Sequence, residues 1–362
     1  MEYMPILKWK RGEQTAAQAL PSKLKSQVLP LAEVPEPPFD WEDSQPKKSI
    51  EEHIADVAKA TARYWGRTHP IAFDQLFSGQ DALLAGGTTA WELLFEELWA
   101  QGVEAIPVVS SMATPAELSA FKSLARNHDI PRWVLRWRAE SAGQSVAAGS
   151  VAGWFSKTAK AIGAKPEQCD AVIDCGFVDA ASLPAAKANA AAWLAEVGFA
   201  ARWRSLVLAS GAFPVNLAGH PAGNVWLPRS DWELFEAVHK SLGEELAVAY
   251  GDYAVSHVFA FNDDPRLMRM SANLRYTSDK HWLVLKGKNV KDHGFGQYKS
   301  LCKLLVGNKV FKGAAFSAGD KNYAEIAAKV DAKPGNATHW RRDATNHHIH
   351  FVIDQLASLD EL

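Results

Sequence analysis

The residues best suited to chemistry gather late in the 362-residue chain. Asn336-Ala337-Thr338-His339-Trp340-Arg341-Arg342 runs on to Asn346-His347-His348-Ile349-His350, and upstream stand Asn273-Leu274-Arg275-Tyr276 and Lys286-Gly287-Lys288. A guanidinium presents a planar fork of donors that fits phosphate or carboxylate, and Trp340 beside Arg341 offers a ring face to a base. The same two side chains would serve equally to hold the tail on the body. His347, His348 and His350 invite a metal. On a strand, however, His347 and His348 face opposite ways, which leaves His348 and His350 as the same-face pair. Zinc needs at least a third ligand and no spacing supplies one, so no metal is assigned and no cofactor is named. His347 and His348 stand instead as acid–base candidates. Ser317-Ala318-Gly319-Asp320 opens a predicted helix, where Asp320 serves either as the cap or beside an anion held by free amides.

A second set of charges lies at strand ends. Side chains two apart on a strand share a face, which groups Ile6 with Lys8 and Lys10, Leu31 with Glu33, and Ala72 with Asp74. The same rule aligns Val134, Arg136, Arg138 and Glu140, pairs Val172 with Asp174, and sets Val248 with Tyr250 and Asp252. Each charge comes late in its strand, where a parallel barrel keeps its site. Two readings stay open: a buried network of mutually neutralised charges, or a polar cavity at the barrel mouth.

The elements that would position these groups follow from pattern. Eight apolar runs read as strands: 4–10, 28–34, 71–75, 105–110, 133–140, 171–175, 205–210 and 246–253. They alternate with helical segments such as the one bearing Leu118, Phe121, Leu124 and Ala125, the signature of a parallel sheet with crossover helices. Ser49 with Glu52, Thr89 with Glu92, Thr114 with Glu117 and Ser230 with Glu233 are predicted capping boxes. Residues 33–48, rich in Pro and acid, read as a loop. Past Asn262 the rhythm changes to a hairpin (274–276 and 281–286), an amphipathic segment at 295–305, a strand at 310–316, a helix at 321–330 and a last strand-like run at 347–353. The predicted fold is α/β, a modified (β/α)8 TIM-like barrel over residues 1–260, with a C-terminal hairpin and helix extension over 261–362 that packs on the barrel and contributes to the same site.

Composition narrows the function. Lys and Arg number 39 against 41 Asp and Glu, so no overall field draws the chain to nucleic acid or anionic lipid, and any anion site is local. The three cysteines lack metal-binding spacing and read as buried thiols of a reducing compartment. With no long apolar stretch, a cytoplasmic protein without membrane contact is expected. The 14 tryptophans suit core and interface anchoring more than ligand stacking. No Walker loop, Rossmann glycine fingerprint or Gly-x-Ser-x-Gly elbow occurs.

In order and wording the sequence resembles the "beta family" proteins of phages and bacteria. The resemblance rests on Tyr3-Met4-Pro5-Ile6-Leu7-Lys8 with Gly12-Glu13, Pro30-Leu31-Ala32-Glu33-Val34-Pro35, Arg275-Tyr276-Thr277-Ser278-Asp279 before Trp282-Leu283-Val284, Gly319-Asp320, and Trp340-Arg341 leading to Asn346-His347-His348. It implies a role in phage–host conflict or antiviral defence and carries no assigned reaction.

The expectation is therefore a protein that binds, with hydrolysis as an option, a small anionic phosphate-bearing ligand such as a nucleotide at the barrel mouth. Lys8, Lys10, Glu13, Arg275, Tyr276, Lys286, Asp320, Trp340 and Arg341 would contact the ligand, and Glu33, Asp74, His347 and His348 would supply acid or base. The alternative is a non-catalytic interaction component with a phage or host protein partner. Direct nucleic-acid binding is disfavoured by the charge balance.

Overall fold

The computed structural model describes residues 3–75, 83–84, 86–259, 269–331 and 333–359. Eight parallel strands close into a barrel: β1 (Tyr3–Leu7), β2 (Leu31–Val34), β5 (Ile71–Gln75), β6 (Ala105–Ser110), β7 (Trp133–Arg138), β8 (Cys169–Phe177), β9 (Ser205–Gly211) and β11 (Val248–Asp252). They follow one another around the ring in chain order, with β11 pairing back onto β1. A two-stranded hairpin, β3 (Phe39–Asp40) and β4 (Gln45–Pro46), interrupts the predicted loop after β2. All eight expected barrel strands are present.

Period-two alternation sorts the residues of each strand. Met4, Ile6, Leu31, Ala72, Val108, Val134, Val172 and Val207 fill the barrel interior as one cluster, while Leu7, Ala32, Phe73, Leu135 and Ile173 face the helices. Three of the predicted capping boxes hold the helices Ile50–Tyr64, Ala90–Ala100 and Pro115–Asn127 at their starts. The fourth fails. Ser230 is the first residue of the helix Ser230–Leu242, whose cap position is Arg229, and Glu233 bonds Lys187 at 2.9 Å instead.

The last β/α unit is the modified one. Between β11 and its helix the chain inserts an antiparallel pair, β12 (Ser271–Thr277) and β13 (His281–Asn289), and the helices Val290–His293, Gln297–Val306 and Ala318–Ala328. An earlier strand, β10 (Gly223–Pro228), which the sequence did not reveal, adds to β13 with Val225 opposite Val284. The insert has its own core around Leu274, Tyr276, Leu285, Leu301, Leu305 and Tyr323. The helix Ala337–Leu359 then returns to the barrel wall, and its Ile349, Val352, Ile353 and Leu356 join the outer core with Tyr3, Leu7 and Tyr250.

Two expectations are corrected here. Residues 347–353 are helical, because the apolar positions 349, 352, 353 and 356 follow helical spacing that a seven-residue window hides. Residues 310–316 form turns, not a strand, and the Lys312 amide donates to the Tyr276 hydroxyl at 2.8 Å. The expected boundary between body and extension falls among residues 260–268, outside the described residues.

Candidate functional site

The charged residues singled out by sequence separate into three groups. The first closes the barrel from within. Arg136 on β7 donates from Nη1 to Glu33 and to Asp74, both at 2.8 Å, and from Nη2 to Asp174 at 2.7 Å and to the Tyr253 hydroxyl at 2.6 Å. Lys8, just past β1, pairs with Glu33 and donates to the Val258 carbonyl at 2.6 Å. All six side chains are buried.

Burial opposes ionisation of Glu33, but the Lys8 ammonium and Arg136 guanidinium outweigh it and hold the carboxyl below its ordinary range. Asp174 is likewise held low against burial by Arg136 and Arg138. Burial dominates for Asp74, which is pushed up, and for Lys8, which is pulled down. Lys8, Glu33 and Asp74 therefore meet as predicted, but as members of a paired network. Lys10 does not join them. β1 ends at Leu7, and Lys10 is exposed at the cap position of the helix Arg11–Gln18, so strand alternation no longer applies to it.

The second group clasps the last helix to the barrel and to the hairpin. Asp252 points outward from β11, not into the barrel mouth as the alternation from Val248 suggested. It accepts from the Tyr3 hydroxyl at 2.7 Å and meets His348 Nε2 at 2.7 Å, while His348 Nδ1 meets the Thr277 hydroxyl at 2.8 Å. Asp320 accepts from Tyr276 at 2.7 Å and from Ser317 at 2.5 Å, and meets His347 Nδ1 at 2.8 Å; His347 stacks on Tyr276 with ring centres 3.8 Å apart. Ser317, not Asp320, caps the helix Ala318–Ala328, its hydroxyl accepting from the Asp320 amide at 3.1 Å, and Asp320 belongs to the clasp. Burial lowers the His348 pKa despite Asp252. His347 and His348 are fully buried with both ring nitrogens engaged, and among the described residues no cluster of His, Cys, Asp or Glu suits a metal ion.

Two motif glycines explain themselves at this clasp. A Cβ on Gly12 would stand 2.8 Å from Cγ of Arg341, and one on Gly319 would stand 2.3 Å from the Asp343 carbonyl oxygen. Both positions let the last helix approach closer than any side chain allows.

The third group lines a cleft of about 400 Å³ between the insert, the loop after β9 and the start of the last helix. Arg275 comes from β12, Lys286 from β13 and Arg341 from the last helix. Arg275 donates to the Val255 carbonyl at 2.5 Å and lies over the Phe213 ring at 4.2 Å. Arg341 reaches the same carbonyl at 3.0 Å and the Ser256 hydroxyl at 2.7 Å. Lys286 donates to the Leu217 carbonyl at 2.6 Å and to that of His220. Among the described residues the nearest carboxylate contact to these three is Glu13 to Arg341, at a loose 3.8 Å. Burial and the adjacent Arg341 charge pull Arg275 well below the ordinary guanidinium value. A guanidinium keeps its proton in practice, so the strain is one that a bound anion would relieve.

Trp340 lines the cleft but cannot stack on a ligand as expected. Its ring is buried, parallel to Tyr298 at 4.4 Å and to Tyr323 at 6.4 Å. Ten of the tryptophans are buried in this way and only Trp226 is exposed, so most of the tryptophan content is core. The three cysteines are buried and free, and burial pushes Cys169 and Cys302 up to about 12.

The sequence-predicted residues thus do not share one site. Arg275, Lys286, Trp340 and Arg341 meet in the cleft with Glu13 nearby, Lys8, Glu33 and Asp74 meet inside the barrel, and Tyr276, Asp320, His347 and His348 form the clasp. The segment from Tyr253 to Val258 links them: its side chain and carbonyls take Arg136 and Lys8 on one side and Arg275 and Arg341 on the other. Sequence reasoning placed Arg136 and Asp174 on interior faces without seeing that Arg136 is the hub; an arginine between a valine and a second arginine on an inward face was the available signal.

Fold and cleft together define a (β/α)8-barrel protein whose final β/α connection carries a folded insert and a cationic cleft. The chain belongs to the Beta protein family, whose pattern matches residues 3–354. No curated protein matches it. Among solved structures it is similar to the biosynthetic arginine decarboxylase SpeA from Campylobacter jejuni, at 14% identity and a TM-score of 0.40 over 99% of this chain and 57% of that one. It is similar also to the arginine decarboxylase of Paramecium bursaria Chlorella virus (8%, TM-score 0.36, 70% of this chain and 58% of that one). A third is the homocysteine methyltransferase MmuM from Escherichia coli (11%, TM-score 0.35, 70% and 90%). The chain spans a little over half the length of the two decarboxylases. Likeness at this level says nothing of chemistry. Among the described residues no helix is long and apolar enough to cross a membrane.

Proposed function

We propose that the protein binds a small anionic, phosphate-bearing ligand in the cleft of Arg275, Lys286 and Arg341, away from the barrel axis. The observation that carries this reading is the donor set: three cations on one concave surface, bonded to main-chain carbonyls rather than to carboxylates. Carbonyl partners hold the side chains in place and, apart from the loose Glu13 contact to Arg341, no ion pair among the described residues offsets their charge, which is how a preorganised anion site is built.

Binding is favoured over turnover. The described residues that line the cleft include no Asp, Glu or His to act as base, while Glu33, Asp74, His347 and His348 are buried in bonds elsewhere. In the phage and defence setting that the family resemblance implies, such a site would sense a metabolite. Calorimetric titration with inorganic phosphate and a panel of mononucleotides tests the reading. Saturable binding that weakens about tenfold in Arg275→Gln is expected, since a charge-assisted bond is worth roughly 1.5–3 kcal/mol. Binding unchanged in that variant, or none across the panel, would refute it.

A further inference from the structure

Charge and polarity around the cleft say more about what fills it. Three of its cations come from separate elements: Arg275 on β12, Lys286 on β13 and Arg341 on the last helix. A fourth, Arg269, already pairs with Asp292 at 3.2 Å and cancels. Among the described residues the carboxylate that contacts one of the remaining three is Glu13, 3.8 Å from Arg341. Counted over the described residues, three charges against one leave an excess of about two. The last helix begins at Ala337 on the cleft wall, so its positive end adds to the same field. The same lining includes the apolar residues Val215, Leu217, Met270, Phe295 and Ala344. No acidic side chain stands among the described lining residues to meet an amine.

Resting on the binding reading above, we infer that the cleft selects a ligand whose anionic group carries two negative charges on one centre and is joined to an apolar body. A phosphate monoester is the simplest member of that class. A sulfate monoester has the same shape and one charge, which leaves a cation unmet. A zwitterionic amino acid brings an ammonium into a cationic surface. Inorganic phosphate satisfies the charge and leaves the apolar wall wet. The volume of about 400 Å³ falls at the small end of ligand sites, which suits one monoester group with a ring-sized body better than a longer polyphosphate.

The test uses the full chain and three probes, phenyl phosphate, phenyl sulfate and inorganic phosphate, titrated calorimetrically near pH 7.5 and near pH 5. A phosphate monoester loses its second proton near pH 6, whereas the sulfate is a monoanion throughout. Phenyl phosphate is expected to bind about tenfold or more tighter than phenyl sulfate at the higher pH, with the gap closing at the lower, and to bind tighter than inorganic phosphate. Any titration of the protein that acts alike on the two esters drops out of the ratio of phosphate to sulfate affinity. Equal affinity of the two esters near pH 7.5 overturns the charge assignment, and equal affinity of phenyl phosphate and inorganic phosphate overturns the apolar body. Binding of none of the three overturns the underlying site. Lys286→Met, or Arg341→Gln should the first fold poorly, is expected to shrink the ester ratio; an unchanged ratio in a folded variant counts against the charge excess.

Discussion

Replacing Arg136 by Met removes the hub of the barrel network while keeping an unbranched side chain in its place. Glu33 keeps Lys8, and Asp174 keeps the Tyr253 hydroxyl at 2.6 Å and Arg138 at 3.8 Å. Asp74 loses its only ion-pair partner among the described residues. Stranding one member of a buried pair costs roughly 3–5 kcal/mol, and that range applies here because one carboxylate, not three, is abandoned. The loss depends on pH with a definite sign. Asp74 is already pushed up by burial, and without Arg136 it rises further. A carboxyl raised in the folded state contributes stability present below its unfolded value near about 3.9 and lost as pH climbs through the folded value. The deficit of Arg136→Met should therefore be largest near neutrality and smaller near pH 5. Urea denaturation followed by tryptophan fluorescence at the two pH values measures it, and Arg136→Met with Asp74→Leu should recover part of the loss, since an apolar substitute for a buried pair is often neutral. A single variant within about 1 kcal/mol of the parent at neutral pH would show that water reaches these groups, and an open polar mouth would replace the sealed network.

Three further outcomes follow from the clasp and the core. Gly319→Ala drives a methyl toward the Asp343 carbonyl, 2.3 Å from the ideal Cβ position, and should lower stability by about 1–3 kcal/mol or more, visible as early proteolysis of the C-terminal helix; wild-type resistance would refute the close approach. His348 is held below its ordinary pKa, so the stability it supports is full above the unfolded value near about 6.5 and falls as pH drops through the folded one. A thermal-melt series from pH 7.5 to 5 should slope downward, and His348→Gln should flatten the slope; equal slopes in both proteins would dismiss the assignment. Cys169, Cys175 and Cys302 are buried thiols with raised pKa values, so a thiol reagent at neutral pH should label none until urea unfolds the chain. Rapid native labelling of any of them would contradict the burial.

How much of this was legible follows from the range of each interaction. Strand alternation is local, so the eight barrel strands and the inward set of Lys8, Glu33, Asp74, Arg136 and Asp174 could be read from residue types alone. Capping boxes are local too, and three of four held; the fourth failed because the helix starts at Ser230 itself, with Arg229 at the cap position. The limits came where an element ended three residues early, as at Lys10, or where phase around the barrel decided the face, as for Asp252. His347 and His348 could be noticed but not assigned, since their polarity is answered by Asp320, Asp252 and Thr277 from elements far off in sequence.

The sequence alone determined which residues are charged, which eight segments form the barrel and that cationic groups recur late in the chain. Only the tertiary structure decided which charges neutralise one another. Pairing depends on distances of a few ångströms between side chains up to hundreds of residues apart, and the barrel closure sets those distances. It spent Glu33, Asp74 and Asp174 on Lys8 and Arg136, and left Arg275, Lys286 and Arg341 facing a cleft with main-chain carbonyls for company.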